Sequence, residues 1–553
     1  MAGPAPAPIE SAELVRLAQA VMKSAKFPMP ASIEGEQPRV RPRTPTPRID
    51  ANSALPFCRR MPKASVGRRM PKREYEARVA LLRAGLVQMQ VALQGARFPV
   101  LLVIAGDVAA GKGDVVNLLN GWLDPRGVET FGFDEPTDEE RERPPLWRFW
   151  RCLPPHGRMA IYAGGWHAEA LRADPRTRAD LVEFDLTLRR LARFEDRLVA
   201  DGALIVKVWL RLGKDAQAAR LDELESNPDT AWRVSPTDWE SQRAYARLTR
   251  HAERMRRATQ RPGAPWHVIN AVDPRTRNIG VGDLVLAQFR AHLRAHVRLA
   301  SATRPRRVIP LHPAGLRRLQ ALALDQKLSE EDYEAKRDKW LGRLNRAVRA
   351  AAEARRSIVW VFEGWDAAGK GGAIRRLTSA IDARDCRVIP VSKPSDEEKS
   401  HHYLWRFWRH VPRAGRVTVY DRSWYGRVLV ERLEGFCREE EWRRAYAELN
   451  DFEQQLTEHG TIVLKFWLHL SRAEQLRRFR HREDTDYKRH KINAEDWRNR
   501  RKWHGYEVAV GDMLALTDRA NAPWHLVPAD NKRFARLEIL RVSCKQIAAA
   551  LEE

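Results

Sequence analysis

Two glycine-rich stretches with one pattern, 258 residues apart, most constrain what this chain can fold into. The second stretch, Gly364 to Gly372, reads G-W-D-A-A-G-K-G-G and follows Ile358 to Phe362, an apolar run that predicts a buried strand. Residues 373–377 then read as the start of a helix. A strand, a glycine-rich loop and a helix form a phosphate cradle, because backbone N–H groups and the helix dipole face an anion. The spacing G-x-x-x-x-G-K fits a P-loop, although Gly371 stands where Ser or Thr usually follows the lysine.

The same offset relates landmarks along most of the chain. Gly106 to Gly113 reads G-D-V-A-A-G-K-G and matches the loop above; three further matches are Leu146 to Arg151 with Leu404 to Arg409, Lys207 to Leu210 with Lys465 to Leu468, and Ala264 to His267 with Ala522 to His525. Such regularity indicates two copies of one domain. We predict domains at 70–297 and 328–553, a basic linker at 298–327, and an N-terminal extension with a Pro/Arg-rich linker at 1–69. Within that extension, Ser11 to Lys26 is predicted to form a helix with one apolar face, which carries Leu14, Leu17, Val21 and Met22.

Each copy has the pattern of an α/β domain. In the second copy, a long helix over about 330–356 is predicted behind Ser329 as N-cap, and apolar strands are predicted at 358–362, 387–391, 417–420, 462–467 and 524–527. Helical stretches lie between the strands, which predicts a parallel sheet with covered faces. Ligands of such sheets bind beyond the carboxyl ends of the strands.

Two carboxylates distinguish the copies. Asp421 ends the strand at 417–420, in the Walker B position where P-loop enzymes hold Mg²⁺, and Asp366 lies inside the loop itself. Mg²⁺ commonly uses one or two carboxylates plus substrate phosphates. The first copy has Val108 in place of Asp366 and Ala163 in place of Asp421, and it also has Gly164 where the second copy has Arg422. Because the first copy keeps only the lysine, Lys112, we predict that catalysis belongs to the second copy, where Lys370 faces the phosphates.

Positive charge is concentrated in the second copy. The chain carries 98 Lys and Arg against 72 Asp and Glu, a net charge of +26, which favours polyanionic partners, although a general arginine-rich composition is an alternative reason. Residues 472–502 hold twelve basic and six acidic side chains, whereas the matching residues 214–244 hold four and seven. We interpret the segment as a lid over a highly charged substrate, with a solvated helical face as the alternative. Its predicted phosphate-binding residues are Arg477, Arg478, Arg482, Lys488 and Lys491.

Other features exclude several classes of protein. We find no apolar run near the roughly 18 residues that a membrane span needs, and no secretory signal. The five cysteines are widely spaced, which favours a reducing, cytoplasmic location. The tryptophans that recur in both copies are predicted core residues, and we assign no chemistry to His401 or His402.

With these residues assembled, the second copy closely resembles the polyphosphate kinase 2 family, and the first copy resembles it more weakly. The matching segments are Gly364 to Gly372, Tyr420 to Gly426 (Y-D-R-S-W-Y-G), Val430 to Phe436 (V-E-R-L-E-G-F), the basic segment around 477–496, Ala522 to Trp524, and Ala529 to Lys532. The resemblance implies two tandem three-layer α/β/α P-loop kinase domains similar to thymidylate kinase. It also implies the family's two-domain class, which transfers phosphate from inorganic polyphosphate to AMP.

Residue roles follow from the same resemblance. It implies Mg²⁺, or alternatively Mn²⁺, on Asp366 and Asp421, and phosphate contacts for Lys370, Arg422 and the lid residues. The remaining substrate-binding residues it implies are Gly364, Ala367, Ala368, Gly369, Gly371, Gly372, Arg427 and Glu431; the role of Glu431 does not follow from its chemistry.

Several alternatives stay open at this point. The acceptor could be ADP or GDP, or the enzyme could be an ATP-dependent kinase of a small molecule. A nucleic-acid-binding module would use the same basic stretches, but no groove-reading motif is present and the lid's charge differs between copies. We therefore expect polyphosphate and AMP or ADP as partners, neither membrane nor nucleic acid, and we leave homo-oligomerisation open.

Overall fold

The computed structural model describes residues 69–300, 312–485, 492 and 494–552, and for 297–300 it describes the backbone alone. The predicted helix at 11–26, Lys488 and Lys491 lie outside the described residues. The chain divides into two compact units. The first contains the described parts of 1–134 and 153–303, and the second contains 135–152 and the described parts of 304–553.

The first unit is built on a five-stranded parallel sheet. Its strands are β1 (Val100–Gly106), β2 (Val128–Gly132), β3 (Met159–Ala163), β4 (Leu204–Arg211) and β5 (Trp266–Asn270), in the order β2-β3-β1-β4-β5. The central strand β1 pairs with β3 and β4, and its apolar side chains are buried. The strands β2 and β3, which follow β1 in the sequence, lie on one side of it, and β4 and β5 lie on the other side. Ligands of such sheets bind where the strand order reverses in this way, so the loop after β1 lies at that position.

Helices connect these strands in the first copy. In chain order they are α1 (Lys72–Gln94), α2 (Lys112–Trp122), α3 (Asp138–Arg141), α4 (Trp147–Arg151), α5 (Gly165–Arg172), α6 (Arg178–Ala200), α7 (Lys214–Ser226), α8 (Pro236–Arg243), α9 (Tyr245–Ala258) and α10 (Pro274–Ala300). Short 3₁₀ turns span Pro125–Gly127 and Ala231–Arg233. The α3 and α4 helices belong to the second compact unit, where the Trp147 indole donates a hydrogen bond to the Trp408 carbonyl at 2.9 Å.

The second unit repeats the sheet. Its strands are β6 (Ile358–Gly364), β7 (Cys386–Pro390), β8 (Val417–Asp421), β9 (Ile462–His469) and β10 (Trp524–Pro528), in the order β7-β8-β6-β9-β10 with every pairing parallel. All five predicted strands are confirmed, with ends shifted by at most two residues. The copies pair alike: Val100 of β1 faces Met159 of β3, and Ile358 of β6 faces Val417 of β8 at the same offset.

The helices of the second copy follow one in the connecting segment. They are α11 (Pro313–Gln320), α12 (Glu330–Glu353), α13 (Lys370–Thr378), α14 (Asp396–Lys399), α15 (Trp405–Trp408), α16 (Val430–Glu434), α17 (Glu439–Glu458), α18 (Arg472–Glu483), α19 (Ala494–Arg501), α20 (Trp503–Thr517) and α21 (Lys532–Glu552), with a 3₁₀ turn at Trp424–Arg427. Ser329 caps α12 as predicted, because its hydroxyl accepts the Asp332 N–H at 3.0 Å. Across the described ranges, no helix combines the length and the apolar character that crossing a bilayer requires.

The core confirms the assignment of the recurring tryptophans to packing. Trp147, Trp150, Trp405, Trp408, Trp467 and Trp524 are all buried. Each sheet also buries a lysine on its fourth strand: Lys207 donates to Glu195 at 2.6 Å, and Lys465 donates to Glu453 at 2.7 Å. A buried amine is tolerated here because a carboxylate and a backbone carbonyl accept its hydrogen bonds.

Candidate active site

The glycine-rich loop lies between β6 and α13, at the carboxyl end of the central strand. Gly364 ends β6 so close to β9 that a Cβ atom would lie 2.5 Å from the Leu468 carbonyl oxygen. Gly369 has φ +107° and serves as N-cap of α13, and Ala367 also has a positive φ of 63°. Since left-handed residues turn successive N–H groups toward one side, the loop has the conformation of an anion-binding concavity. Ala368, Gly371 and Gly372 complete the loop and the first turn of the helix.

Lys370 lies across this loop. Its ammonium donates to the carbonyls of Gly364 at 2.7 Å and Trp365 at 3.2 Å. Burial lowers the pKa of Lys370, and this shift is opposed first by the nearby carboxylate of Asp366 and more weakly by Asp421. The amine therefore sits among negative groups in a partly dehydrated site, where its charge acts strongly on an incoming phosphate.

Asp366 is held from two sides. Arg422 approaches its Oδ1 at 3.4 Å, and the Asn499 amide of α19 donates to Oδ2 at 2.9 Å. Its backbone carbonyl accepts the side-chain amide of Gln475 on α18 at 3.1 Å. The loop, the strand end at Arg422 and the helices α18 and α19 are thus joined at Asp366.

Asp421 ends β8 beside the end of β6. It pairs in register with Phe362, and its carbonyl accepts the Val391 N–H at 2.9 Å. The next residue, Arg422, adopts a positive φ of 63°, which turns the chain sharply at the strand end. The structure thus brings Asp366, Lys370, Asp421 and Arg422 together at one edge of the sheet, where the sequence placed them.

A buried carboxyl below the loop was missed by sequence reasoning. Glu363 is 5 % exposed, and its Oε1 accepts the hydroxyl of Ser423 at 2.8 Å. Burial raises the pKa of Glu363, while the Ser423 hydrogen bond and the Lys370 charge oppose the shift. The first copy has Ala105 and Gly165 at these two positions. The contrast between copies could therefore have revealed the pair.

The arginines of α18 have different roles. Arg478 is buried, and its guanidinium donates to the carbonyls of Ala367, Ala368, Ala529 and Asp530 at 2.6–3.2 Å. It holds the backbone of the loop rather than facing the space above it. Arg477 is exposed and pairs with Glu474 at 2.7 Å, and Arg482 lies in the last turn of the helix.

Two further basic side chains stand near Arg478. Lys532 begins α21, and burial together with the charges of Arg478 and Arg536 lowers its pKa to about 8. Arg536 lies on the same helix, with its Nη2 3.3 Å from where a Cβ of Gly372 would stand. The first turn of α13 is consequently surrounded by positive charge.

Arg427 and Glu431 form a pair of their own. The Arg427 guanidinium lies 3.0 Å from a Glu431 oxygen and stacks on the Tyr403 ring at 4.4 Å. Burial raises the pKa of Glu431, opposed by the Arg427 charge. A planar cation on an aromatic ring beside a carboxylate can bind a polar ring system or a phosphate.

The helix that follows the basic segment, α20, also contacts the loop through aromatic rings. Trp365 of the loop stacks on Trp503, the first residue of α20, with centroids 3.7 Å apart and planes 3° apart. Its indole donates to His469 Nδ1 at 3.0 Å. The loop, β9 and the start of α20 are therefore packed together.

The first copy keeps the lysine but fills its loop differently. Lys112 donates to the carbonyls of Gly106 and Asp107, as Lys370 does in the second copy. Asp107 replaces the stacked tryptophan and accepts from Arg211 at 3.0 Å. The Arg277 guanidinium donates to the Ala110 carbonyl and lies where a Cβ of Gly111 would stand. The space beside this loop is occupied by the domain's own side chains.

The donor set of the second copy suits a hard divalent cation. Asp366 and Asp421 offer carboxylate oxygens beside the glycine-rich loop, and Mg²⁺ usually binds one or two carboxylates plus substrate oxygens. Among the described residues, no group of three or more His, Cys, Asp or Glu side chains forms a metal site. An ion here would depend on substrate phosphates for much of its coordination.

Comparison with known proteins agrees with this fold. The polyphosphate kinase 2 (PPK2) family model matches residues 69–296 and 327–553, and the chain belongs to this family. A polyphosphate:AMP phosphotransferase of Pseudomonas aeruginosa is 46 % identical over 495 residues, which are 89 % of this chain and 99 % of that protein. A protein of the same name from Pseudomonas syringae pv. tomato is 43 % identical over 86 % of this chain and 96 % of its own length. A crystal structure assigned to polyphosphate kinase 2 from Pseudomonas aeruginosa PA01 superimposes with a TM-score of 0.79 and 44 % identity, covering 89 % of this chain and 99 % of that one.

Proposed function

We propose that this protein transfers the terminal phosphoryl group of inorganic polyphosphate to AMP, which gives ADP. The observation that carries the proposal is that relatives named polyphosphate:AMP phosphotransferase match both domains together, over nearly their full length. The second domain supplies a site of the right chemistry, with a lysine, two carboxylates and an arginine at one sheet edge.

The reaction does not need a strong general base to deprotonate the acceptor. The acceptor phosphate of AMP has a second pKa of about 6 and is largely deprotonated at pH 7. One of its oxygens attacks the terminal phosphorus of polyphosphate, a new P–O bond forms, and the bond to the bridging oxygen breaks. That bridging oxygen keeps the electron pair and becomes the new end of a chain shorter by one phosphate. The main barrier is bringing two polyanions together in line.

The residues of the second domain address that barrier. We propose that Lys370 and the loop N–H groups hold phosphate oxygens, and that Arg422 balances charge as the phosphoryl group moves. Asp366 and Asp421 would hold Mg²⁺, or Mn²⁺ as an alternative, and such an ion neutralises phosphate charge when bound. Arg477 and Arg482 on α18 would face the polyphosphate, while Arg478 keeps the loop in shape.

A product assay tests the acceptor. The full chain would be incubated with polyphosphate, Mg²⁺ and either AMP or ADP, and the nucleotides separated. We expect ADP to form from AMP, and we expect Asp421→Asn to lower turnover by about 10²-fold or more at an unchanged circular dichroism spectrum. ATP formed from ADP without reaction of AMP would favour the nucleoside-diphosphate alternative. Activity with ATP but none with polyphosphate would favour a small-molecule kinase.

We also propose a location and the small-molecule partners. Cys386, Cys437 and Cys544 are free thiols, which fits the proposed cytoplasmic, reducing compartment. Polyphosphate and AMP are the proposed small-molecule partners, and homo-oligomerisation stays open.

A further inference from the structure

The first helix of the first domain is apolar on a face that its own domain leaves uncovered. Leu82, Leu86, Met89 and Leu93 of α1 (Lys72–Gln94) are buried in the hydrophobic core of the domain. On another face, Leu81, Val87 and Val91 are 59 %, 42 % and 52 % exposed. Exposed Ala77, Ala80 and Ala84 continue the same row at helical spacing, and Gln88 is the polar residue within it. We call this row the outer face of α1.

The second domain shows that the fold does not require such a face. At the corresponding positions of α12, Lys339 stands for Leu81, Asn345 for Val87 and Arg349 for Val91. Asp338 likewise stands for Ala80. A helix in the same place of the same fold therefore tolerates a polar outer face. The apolar outer face of α1 is a property of the first domain, and exposed apolar rows of this kind mark docking sites.

A groove runs beside this face. It has a volume of ≈ 790 Å³ and is lined by Ala84 and Val87 of α1 and by Trp122 and Leu123 at the end of α2, with Arg83 and Arg126 among the other lining residues. Apolar walls flanked by charges suit an amphipathic helix, whose apolar side chains enter the groove and whose polar side chains stay in water.

The chain itself contains a segment of the right pattern and size. Residues 11–26, in the extension that precedes both family domains, are predicted to present Leu14, Leu17, Val21 and Met22 on one helical face. A 16-residue helix is about 24 Å long, and the outer face from Ala77 to Val91 is about 21 Å long at the same rise per residue.

Connectivity favours this occupant over a separate molecule. Residues 27–71 join the segment directly to the start of α1. Even fully extended, a segment of 45 residues spans at most about 150–160 Å, and either end of α1 lies within that reach. A tethered segment binds intramolecularly, so its effective concentration exceeds that of a second copy in dilute solution. We propose that residues 11–26 dock as a helix on the outer face of α1 and cover it.

Hydrogen exchange on the full chain tests this docking. In the unmodified protein we expect the amides of 11–26 to exchange about tenfold more slowly than in the double variant Leu81→Lys and Val91→Arg. Those substitutions copy the residues of α12, so the helix should accept them. Leu17→Asp should remove the same protection from the other side of the contact. Glu76→Lys, which changes the charge by the same +2 on exposed residue 76 of α1, should leave the protection unchanged.

Three outcomes would overturn the proposal. Amides of 11–26 that exchange at the unprotected rate in the unmodified chain would show that the segment is undocked. Protection that persists in the double variant would place the segment elsewhere. A molecular mass from sedimentation that is lower for the double variant than for the unmodified protein would mean that the outer face joins two copies of the chain. Turnover and thermal unfolding of each variant, measured alongside, establish that its fold is intact.

Discussion

At the scale of single residues, the site contains a carboxyl group that the proposed chemistry does not use directly. Glu363 is buried at the end of the central strand and accepts the hydroxyl of Ser423, two residues after Asp421. The same hydroxyl accepts the Tyr425 N–H at 3.3 Å. Glu363 therefore positions the turn that carries Asp421 and Arg422, and the first domain has lost both Glu363 and Ser423 together with the two carboxylates.

The raised pKa of Glu363 gives a prediction about stability and pH. In the unfolded chain the group titrates near its ordinary value of 4.5, whereas in the folded chain burial makes it hold its proton to higher pH. Between those two values the folded state binds more protons than the unfolded state, so stability falls as pH rises. Glu363→Gln cannot release a proton, and we expect its stability relative to the unmodified protein to grow from pH 4.5 upward. Denaturant unfolding at several pH values measures this difference.

A variant of Ser423, the hydrogen-bond donor to Glu363, serves as the control. Ser423→Ala removes a hydrogen bond that lowers the pKa of Glu363, so we expect the pH-dependent loss of stability to extend to higher pH in that variant. A stability difference between Glu363→Gln and the unmodified protein that is the same at every pH would show that Glu363 does not titrate in this window.

Comparison of the two copies directs residue-level prediction from the sequence. Asp366 lies inside the loop and Asp421 ends a strand, Val108 and Ala163 replace them in the first copy, and the structure brings both beside Lys370; their role as metal ligands stays a prediction. Asn499 was missed, although Ser241 replaces it, because its contact with Asp366 spans 133 residues of sequence. A contact of that kind depends on how the lid helices pack, which no local pattern encodes.

At the scale of elements, α18 shows how neighbouring identical residues can differ in role. The sequence treats Arg477 and Arg478 alike, as parts of one basic lid. The helix turns them about 100° apart, so Arg478 points into the domain and Arg477 into solvent. The side chain of Arg478 is 4 % exposed and that of Arg477 is 71 % exposed. One arginine builds the loop and the other is available to substrate.

These two arginines give a matched pair of variants. Arg478→Ala leaves the carbonyls of Ala367, Ala368 and Ala529 without their donor and Glu474 without one of its partners, so we expect a loss of about 3–5 kcal/mol in unfolding free energy. Arg477→Ala breaks an exposed pair and should cost less than about 1 kcal/mol. We expect it instead to raise KM for polyphosphate. Denaturant unfolding and steady-state kinetics on both variants check the division; equal stability losses would contradict it.

At the scale of the whole molecule, the repeat made the fold predictable. Each sheet has the parallel pattern expected from the alternation of apolar runs and helical stretches, and strand ends were placed within two residues. The order of the strands could not be obtained in this way, because pairing between β6, β8 and β9 depends on crossovers that leave no local trace in sequence. Nor could sequence show that 135–152 group with the second compact unit, since their pattern simply repeats that of 393–410.

The repeat also supplies the sharpest test of which domain is active. Lys112 and Lys370 each donate to two carbonyls of their own loop, so replacing either with Ala removes the same structural contacts. Lys370 has Asp366 and Asp421 close to its charge, whereas the carboxylates close to Lys112 are Asp238 and Asp107, and Asp107 is bound by Arg211. We expect Lys370→Ala to lower turnover with polyphosphate and AMP by about 10²–10³-fold, and Lys112→Ala to change it by less than about twofold. Thermal unfolding of both variants controls for the shared contacts. A collapse of turnover in a folded Lys112→Ala protein would mean that the first domain also carries a working site, and the missing carboxylates would then have to be replaced by groups that we have not assigned.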